Sequence, residues 1–437
     1  MYRKLTMNYK LVALILIATM SCKTNKLTST KDEWSILRSK FEMGYRKLNL
    51  QPLETSYIQN LKAIKSKDSV LIQEHFFMGI NSDLNKIDAA KITVNQKVDF
   101  NIIRYETQIN LERISLEKKW VELPTDSISA KGLSSVKNGR EWYAYFLKKW
   151  VDIEAKPEDI YDFGLREIER VKTKIKAVQL KSGMDSLTFD KYIHSPIFNY
   201  NDVRDVQKAF ETKKQTLSKK LAVQFPYIEQ IPDVKIVKGT NKALAKVPAY
   251  YTDADSTFYY NFFDSTFNKR QISWIYIHEA MPGHHYQMML DKTLPRTSIQ
   301  KMFEYYGYIE GYAAYIEEIG YEIGAYEDIY DELGKWEWDI VRSVRIPMDV
   351  GLNYYGWSDE KALNFWKQHI KGKDDIGLRE ISRMRNWPAQ VVTYKYGADR
   401  ILKLKKKFEL RNSDLKAFHQ KILERGSLPF SILEKLF

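Results

Sequence analysis

Cysteine is nearly absent. The one thiol among 437 residues, Cys22, excludes a disulfide within the chain. Helix and strand breakers are scarce as well, with 12 Pro and 19 Gly. Beside long stretches of Lys, Glu, Leu and Ile, that scarcity favours helices. The chain shows no internal repeat, no low-complexity tract, no RNP-type motif and no zinc-finger pattern. Spanning a bilayer takes ~20 apolar residues, and no run reaches that length. What is plentiful is core material: 44% apolar residues, with 10 Trp, 29 Tyr and 20 Phe. Wholesale disorder is therefore excluded, and the length suits one large domain or two coupled ones. The formal net charge is +13. Its Lys residues are dispersed among Glu and Asp, as in Leu165–Lys176. That reads as a solvated basic surface, with no nucleic-acid partner. The densest cluster, Lys403–Lys407, reads as one side of a C-terminal helix.

The start of the chain has its own grammar. Arg3, Lys4 and Lys10 precede the apolar run Leu11–Ala18 and then Thr19-Met20-Ser21-Cys22. A basic start, a short apolar stretch and small residues before a cleavage point make a secretory signal. A cysteine after a small residue resembles a bacterial lipoprotein box, with Thr19 where Leu is usual. The expectation is a signal peptide over 1–22, lipidation at Cys22 and a polar tether over 23–30. That would hold the chain on a membrane of the bacterial cell envelope. Residues 31–437 then form one helical domain, in one or two lobes with a boundary near 124–139.

Helical periodicity marks several segments. Phe76, Phe77, Ile80, Leu84 and Ile87 share one spacing, and Val98–Trp120 carries another. His75 reads as a packed or satisfied histidine, not a ligand. Trp142, Tyr143, Tyr145, Phe146 and Trp150 read as core. Pro157, followed by Glu158 and Asp159, starts a helix to about Gln179. Trp336–Arg345, Asp359–His369, Ala389–Phe408 and Asp414–Glu424 are the clearest later helices. Strand signals are confined to Ile231–Val237 and Thr257–Asp264. The second precedes the main motif, the order needed to hold an extended peptide along a strand edge.

That motif is Trp274–Leu290, where three of the seven histidines fall within eight residues. Imidazoles bind zinc, and a carboxylate beside them can activate the metal's water, as His278-Glu279 suggests. The usual arrangement puts two histidines one helical turn apart. Here His284 comes six residues after His278, about 600° round a straight helix and on the wrong face. His285 returns to the right face but ~10.5 Å along the axis. Pro282 clashes with the carbonyl of His278, and Gly283 allows backbone angles closed to other residues. A kink or bulge at Met281–Gly283 can therefore return His284 to the one-turn position. Glu310, in the aromatic and small-residue run Tyr308–Tyr312, has the setting of a buried carboxylate that needs a partner, and a metal is one. Glu317 and Glu318 read as a solvated or salt-bridged face, with the alternative that one of them orients an imidazole.

These residues carry a family resemblance. The chain resembles the bacterial domain-of-unknown-function 885 family, predicted zinc peptidases often found as lipoproteins. Its H-E-x-x-P-G-H-x-x-Q stands here as His278, Glu279, Pro282, Gly283, His284 and Gln287. Its F-x-E-G-W-A-x-Y is similar to Tyr308–Tyr315, its P-G-Q-A-x-x-Y-K-x-G to Pro388–Gly397, and its last motif to Phe418–Pro429. The family is similar in layout to thimet-type oligopeptidases and Taq-type carboxypeptidases. The resemblance implies a mainly α, large helical zinc-peptidase fold. It has a kinked metal-binding helix and a small β element beside the active-site cleft. It implies one zinc per chain, held by His278, His284 and Glu310, with Glu279 activating a zinc-bound water. His285 is then outside the ligand set or substrate-facing. Tyr394, by its motif position, is the candidate oxyanion donor, with His285 and Arg345 as others. One departure stands out: Asn353 replaces a histidine of the family's D-T-G-I-H-x-x-G-W. The expected activity is hydrolysis of short peptides. The alternatives are a catalytically silent peptide-binding lipoprotein, favoured by Asn353, or a metal hydrolase of another amide or ester.

Overall fold

The computed structural model describes residues 33–437 apart from Thr125 and Ser127; the signal, Cys22 and the tether lie outside the described residues. The chain divides into two compact units. The smaller holds residues 33–52, Ile64–Glu122 and Thr297–Ile299, and the larger holds Leu53–Ala63, Leu123–Arg296 and Gln300–Phe437.

The structure is mainly helical. Its first helices are α1 (33–48), α2 (Tyr57–Lys62), α3 (Lys67–Leu84) and α4 (Val94–Glu117). Of these α1, α3 and α4 belong to the smaller unit. Thr93 starts α4 with a reciprocal cap: its hydroxyl accepts from Gln96 N at 3.3 Å, and Gln96 Oε1 accepts from Thr93 N at 2.8 Å. Phe77, Ile80 and Leu84 of α3 are buried. His75, expected to be packed, is exposed. Two residues before Phe77, it lies about 200° round the helix from the buried face.

The larger unit continues with α5 (Gly139–Trp150), α6 (Pro157–Lys181), α7 (Ser186–Ile193) and α8 (Val203–Gln224). Five short strands follow or interleave: β1 (Asn199–Tyr200), β2 (Lys235–Lys238), β3 (Ala249–Thr252), β4 (Thr257–Tyr260) and β5 (Phe267–Asn268). β2, β4 and β3 form a sheet in that order, with β2 parallel and β3 antiparallel to β4. The strand expected to offer its edge, β4, is thus central. The sheet edge beside the motif is β3, four residues between Pro248 and an acidic turn, too short to show alternation in the sequence.

Next come α9 (Ile272–Glu279), α10 (His284–Thr293), α11 (Tyr306–Glu318), α12 (Ile329–Asn353), α13 (Asp359–His369) and α14 (Asp374–Asn386). The last are α15 (Thr393–Glu409), α16 (Leu415–Leu423) and α17 (Phe430–Leu433). α12 is capped by Asp328, whose side chain accepts from Tyr330 N and Asp331 N at 2.7 and 2.9 Å. It is buried almost throughout from Leu333 to Asn353. It brings Lys335, Asp339, Arg342, Arg345 and Asp349 into the interior at three- and four-residue steps. The expectation of a helix only over Trp336–Arg345 fell short, because Pro347 and these charges hide the pattern. Lys403–Lys407 is no bare basic face: Lys403 pairs with Asp399 at 2.6 Å, and Lys405 with Glu322 at 2.9 Å and Glu409 at 2.6 Å. Among the described residues, no helix is long and apolar enough to cross a membrane.

Candidate metal centre

α9 and α10 are two helices, not one kinked helix. α9 stops at Glu279, because Ala280 leaves helical geometry at φ −105°, ψ −105°. Pro282 cannot continue the ladder, and Gly283 bends at φ −81°, ψ −132°. Here the chain doubles onto itself. A Cβ on Gly283 would fall 1.9 Å from the His278 carbonyl oxygen, so only glycine fits. The interruption brings the His278 and His284 rings to 4.9 Å between centroids, at 87° to each other.

From α11, Glu310 meets both. Its Oε2 is 3.4 Å from His284 Nε2 and 4.0 Å from His278 Nε2. One ligand atom from each of His278, His284 and Glu310 lies within 4.8 Å of the others, close enough to share one cation. The other nitrogen of His278 is taken: Nδ1 sits 2.6 Å from Glu317 Oε1. Arg342 of α12 in turn donates to both Glu317 oxygens at 2.7 Å. His278 is therefore fixed by α11 and α12 with Nε2 turned to Glu310.

The charges set the proton states. Burial raises Glu279, against the pull of His278 and His284. Burial would also raise Glu310, yet the hydrogen bond and charge of His284 outweigh it and hold Glu310 low. The reverse holds for His284, which burial lowers and Glu310 and Glu279 raise further. Glu317 stays low because Arg342 and His278 overcome its burial.

These side chains end in a cavity of about 1070 Å³. Its walls include His278, Glu279, His284, Glu310, Tyr394, Trp274, Trp338 and residues Pro248–Tyr251 of β3 and its approach. Tyr394, from α15, stacks on the His278 ring at 6.4 Å between centroids. Its hydroxyl accepts from Gln390 Nε2 at 3.3 Å. Burial, then the charge of Glu310, keeps it protonated by raising its pKa.

His285 is not part of this group, contrary to its place among the expected catalytic residues. It is fully buried, with Nδ1 3.1 Å from the Tyr251 hydroxyl and Nε2 2.7 Å from the Pro232 carbonyl. One step along α10 from His284 turns it about 100° towards the sheet. Asn353 is also off the cavity wall. Its amide donates to the Asp349 and Met384 carbonyls at 3.1 and 3.0 Å. Arg345, in contrast, does line it. Arg342 was missed by the sequence reading. Its signal was the stripe of charged residues three and four apart inside an apolar helix.

The comparisons agree with the motifs. The sequence profile of DUF885, described as a bacterial protein of unknown function, matches residues 118–436. The chain belongs to the DUF885 family. That match takes in α5 to α17 and every residue of the cluster above. Two solved structures share the fold, each described as a candidate lipoprotein. The one from Colwellia psychrerythraea is 23% identical, with a TM-score of 0.63 over 87% of this chain and 68% of that one. The other, from Shewanella oneidensis and described as of unknown function, is 14% identical, with a TM-score of 0.64 over 94% and 98%. No curated protein matches the chain significantly.

Proposed function

We propose that this DUF885 protein is a lipid-anchored, single-zinc peptidase that cleaves short peptides. The observation that carries the reading is the convergence of His278, His284 and Glu310 within 4.8 Å, with Glu279 on the same cavity wall. Two imidazole nitrogens and a carboxylate oxygen suit zinc and leave a fourth position open. Charge supports the same choice. Glu279, Glu310 and Glu317 are three carboxylates against the one guanidinium of Arg342, so with the carboxylates ionised and the imidazoles neutral the group would be short by the charge of one divalent cation.

When bound, the metal supplies Lewis acidity at this end of the cavity. The protein's own groups do the rest. The Nδ1–H of His278 donates to Glu317, which fixes the tautomer and leaves Nε2 free as a ligand. Glu279 accepts a proton from the attacking water and returns it to the departing amine. Tyr394, protonated and on the same wall, donates to the oxyanion. The outer edge of β3 offers main-chain groups to an extended peptide. The cavity matches the upper end of small-ligand sites, ~300–1,000 Å³, which favours short peptides over folded proteins.

The zinc site is tested by elemental analysis of the purified chain. We expect about one zinc per chain (the three-ligand catalytic pattern), lost in His284→Ala and kept in His285→Ala. Glu279→Gln should keep the zinc and lose peptide turnover by roughly 10²–10⁴-fold. No metal after zinc is supplied, or normal turnover in Glu279→Gln, would sink the peptidase and leave a silent peptide-binding protein. The anchor rests on Cys22 and on the description of both structural relatives as candidate lipoproteins. Cys22→Ala should move the chain from the membrane fraction to the soluble one; a chain that stays membrane-bound would refute a lipid at this residue.

A further inference from the structure

Beside Tyr394, one carboxylate faces three guanidinium groups. Arg345 Nη1 donates to Glu380 Oε2 at 3.0 Å. Arg383 Nη1 lies 3.8 Å from the same oxygen, and Arg379 Nε lies 3.8 Å from Glu380 Oε1. All four residues line the cavity. Two positive charges are left uncompensated at this end, and the carboxylates Glu279, Glu310 and Glu317 gather at the histidine end. The Tyr394 ring adjoins both groups.

The arginines are also short of acceptors. Arg345 is only 2% exposed, and its Nε is buried without a partner. Arg383 gives Nη2 to Gln390 Oε1 at 2.8 Å, yet its buried Nε also lacks a partner. Buried N–H donors left bare are costly, and a planar oxyanion that takes two parallel N–H bonds is the natural complement of a guanidinium fork. Of the other acids on the wall, Asp253 pairs with Lys292 at 2.7 Å, Asp291 lies 3.6 Å from Arg296, and Glu304 accepts from the Tyr306 hydroxyl at 3.3 Å. None of them is paired with Arg345, Arg379 or Arg383, and a ligand carboxylate would fit these three.

Distance fixes which part of a ligand. Arg345 Cζ is 5.8 Å from the Tyr394 ring centroid, and that ring is 6.4 Å from the ring of His278. An extended peptide advances ~3.3–3.6 Å per residue, so the step from the arginines to the histidines is at most about three residues. We propose that Arg345, Arg383 and Arg379 form a subsite for a carboxylate of the peptide, from its C-terminus or from an acidic side chain. The peptidase reading supplies the place of cleavage: bonds no more than about three residues before that carboxylate. The binding itself does not depend on it.

The test is calorimetry on the full chain carrying Glu279→Gln, with and without zinc. The probes are acetyl-tetraalanine, its C-terminal amide, and amides with a single Glu at each position in turn. The free acid should bind roughly tenfold or more tightly than the plain amide, the gain of one charge-assisted fork. A Glu-containing amide that recovers this gain identifies the side chain as the source; one that does not identifies the C-terminus. Adding Arg383→Gln, a partly exposed site, should shrink the preference without lowering the melting temperature. Arg345→Lys, which keeps the charge and loses the fork, should shrink it too. Equal binding of all probes, no binding of any, or a preference untouched by both variants overturns the subsite. The two readings fail separately. If the native zinc-loaded chain cleaves amides as fast as acids, the subsite falls and the peptidase stands. If acids bind best and nothing is cleaved, the peptidase falls and the subsite stands.

Discussion

Glu317 and Glu318 are neighbours on α11 and serve different ends. Glu317 reaches His278 and Arg342 beside an open cavity. Glu318, about 100° round the helix, enters a closed cluster with Arg170 at 2.7 Å, Lys335 at 2.6 Å and Lys395 at 3.4 Å. Asp339 and Glu167 join it, each against Lys395, at 2.6 and 2.9 Å. That cluster sets three cations against three carboxylates, so it is complete. The group around Glu317 sets three carboxylates, with Glu279 and Glu310, against the one guanidinium of Arg342. A buried polar network that balances holds a fold together, and one that does not balance is waiting for a ligand.

The sharpest way to break this comparison is Lys395→Met. It leaves Asp339, Glu318 and Glu167 with one cation fewer in the interior, at a cost of ~3–5 kcal/mol. Thermal melts should fall by on the order of 10 °C. Zinc content should not change; its loss would show that the two networks are one. Glu317→Gln is the reciprocal change. It should weaken zinc binding ~10–100-fold, as loss of a ligand's supporting carboxylate does. Its melting temperature should fall less than that of Lys395→Met. Competition with a chelator measures the first quantity, and unchanged affinity would remove Glu317 from the site.

The smallest effect is in acid. Burial would raise Asp339, but Lys335 and Lys395 bring it down to about 2. A folded pKa below the unfolded value of ~3.9 stabilises fully at higher pH. That contribution is lost as pH falls from about 4 towards about 2. Lys395→Met should raise this pKa and move the acid loss to higher pH. Melts at stepped pH would show it, and an unmoved acid limb would mean that Lys395 does not set the charge of Asp339.

Much of the metal end was legible in the sequence because covalent order carries it. His278-Glu279, then Pro282-Gly283, then His284 is a local device, and its geometry follows from what Pro and Gly allow. Glu310 stood out as a charge among aromatics. The helices with plain amphipathic patterns were legible for the same reason, such as Asp359–His369, whose bounds match α13. What the sequence hid was non-local. Arg342 and the arginine wall sit on α12 and α14, where charges face inward and invert the usual pattern. His285 misled because adjacency in sequence says little about direction across a helix start. β3 was too short to show a period, and only its pairing with β4 makes it a strand.

α11 and α15 meet at two glycines. Gly311 and Gly397 touch backbone to backbone: a Cβ on Gly311 would fall 2.4 Å from Gly397 Cα. Glu310 adjoins one side of this contact, and Tyr394 stands one turn before the other. The spacing between the carboxylate and the phenol is thus written in main chain, which has no rotamers to change. For a lineage of such proteins this acts as a ratchet. Neither glycine can be exchanged alone, and a bulkier pair would pull Glu310 and Tyr394 apart together.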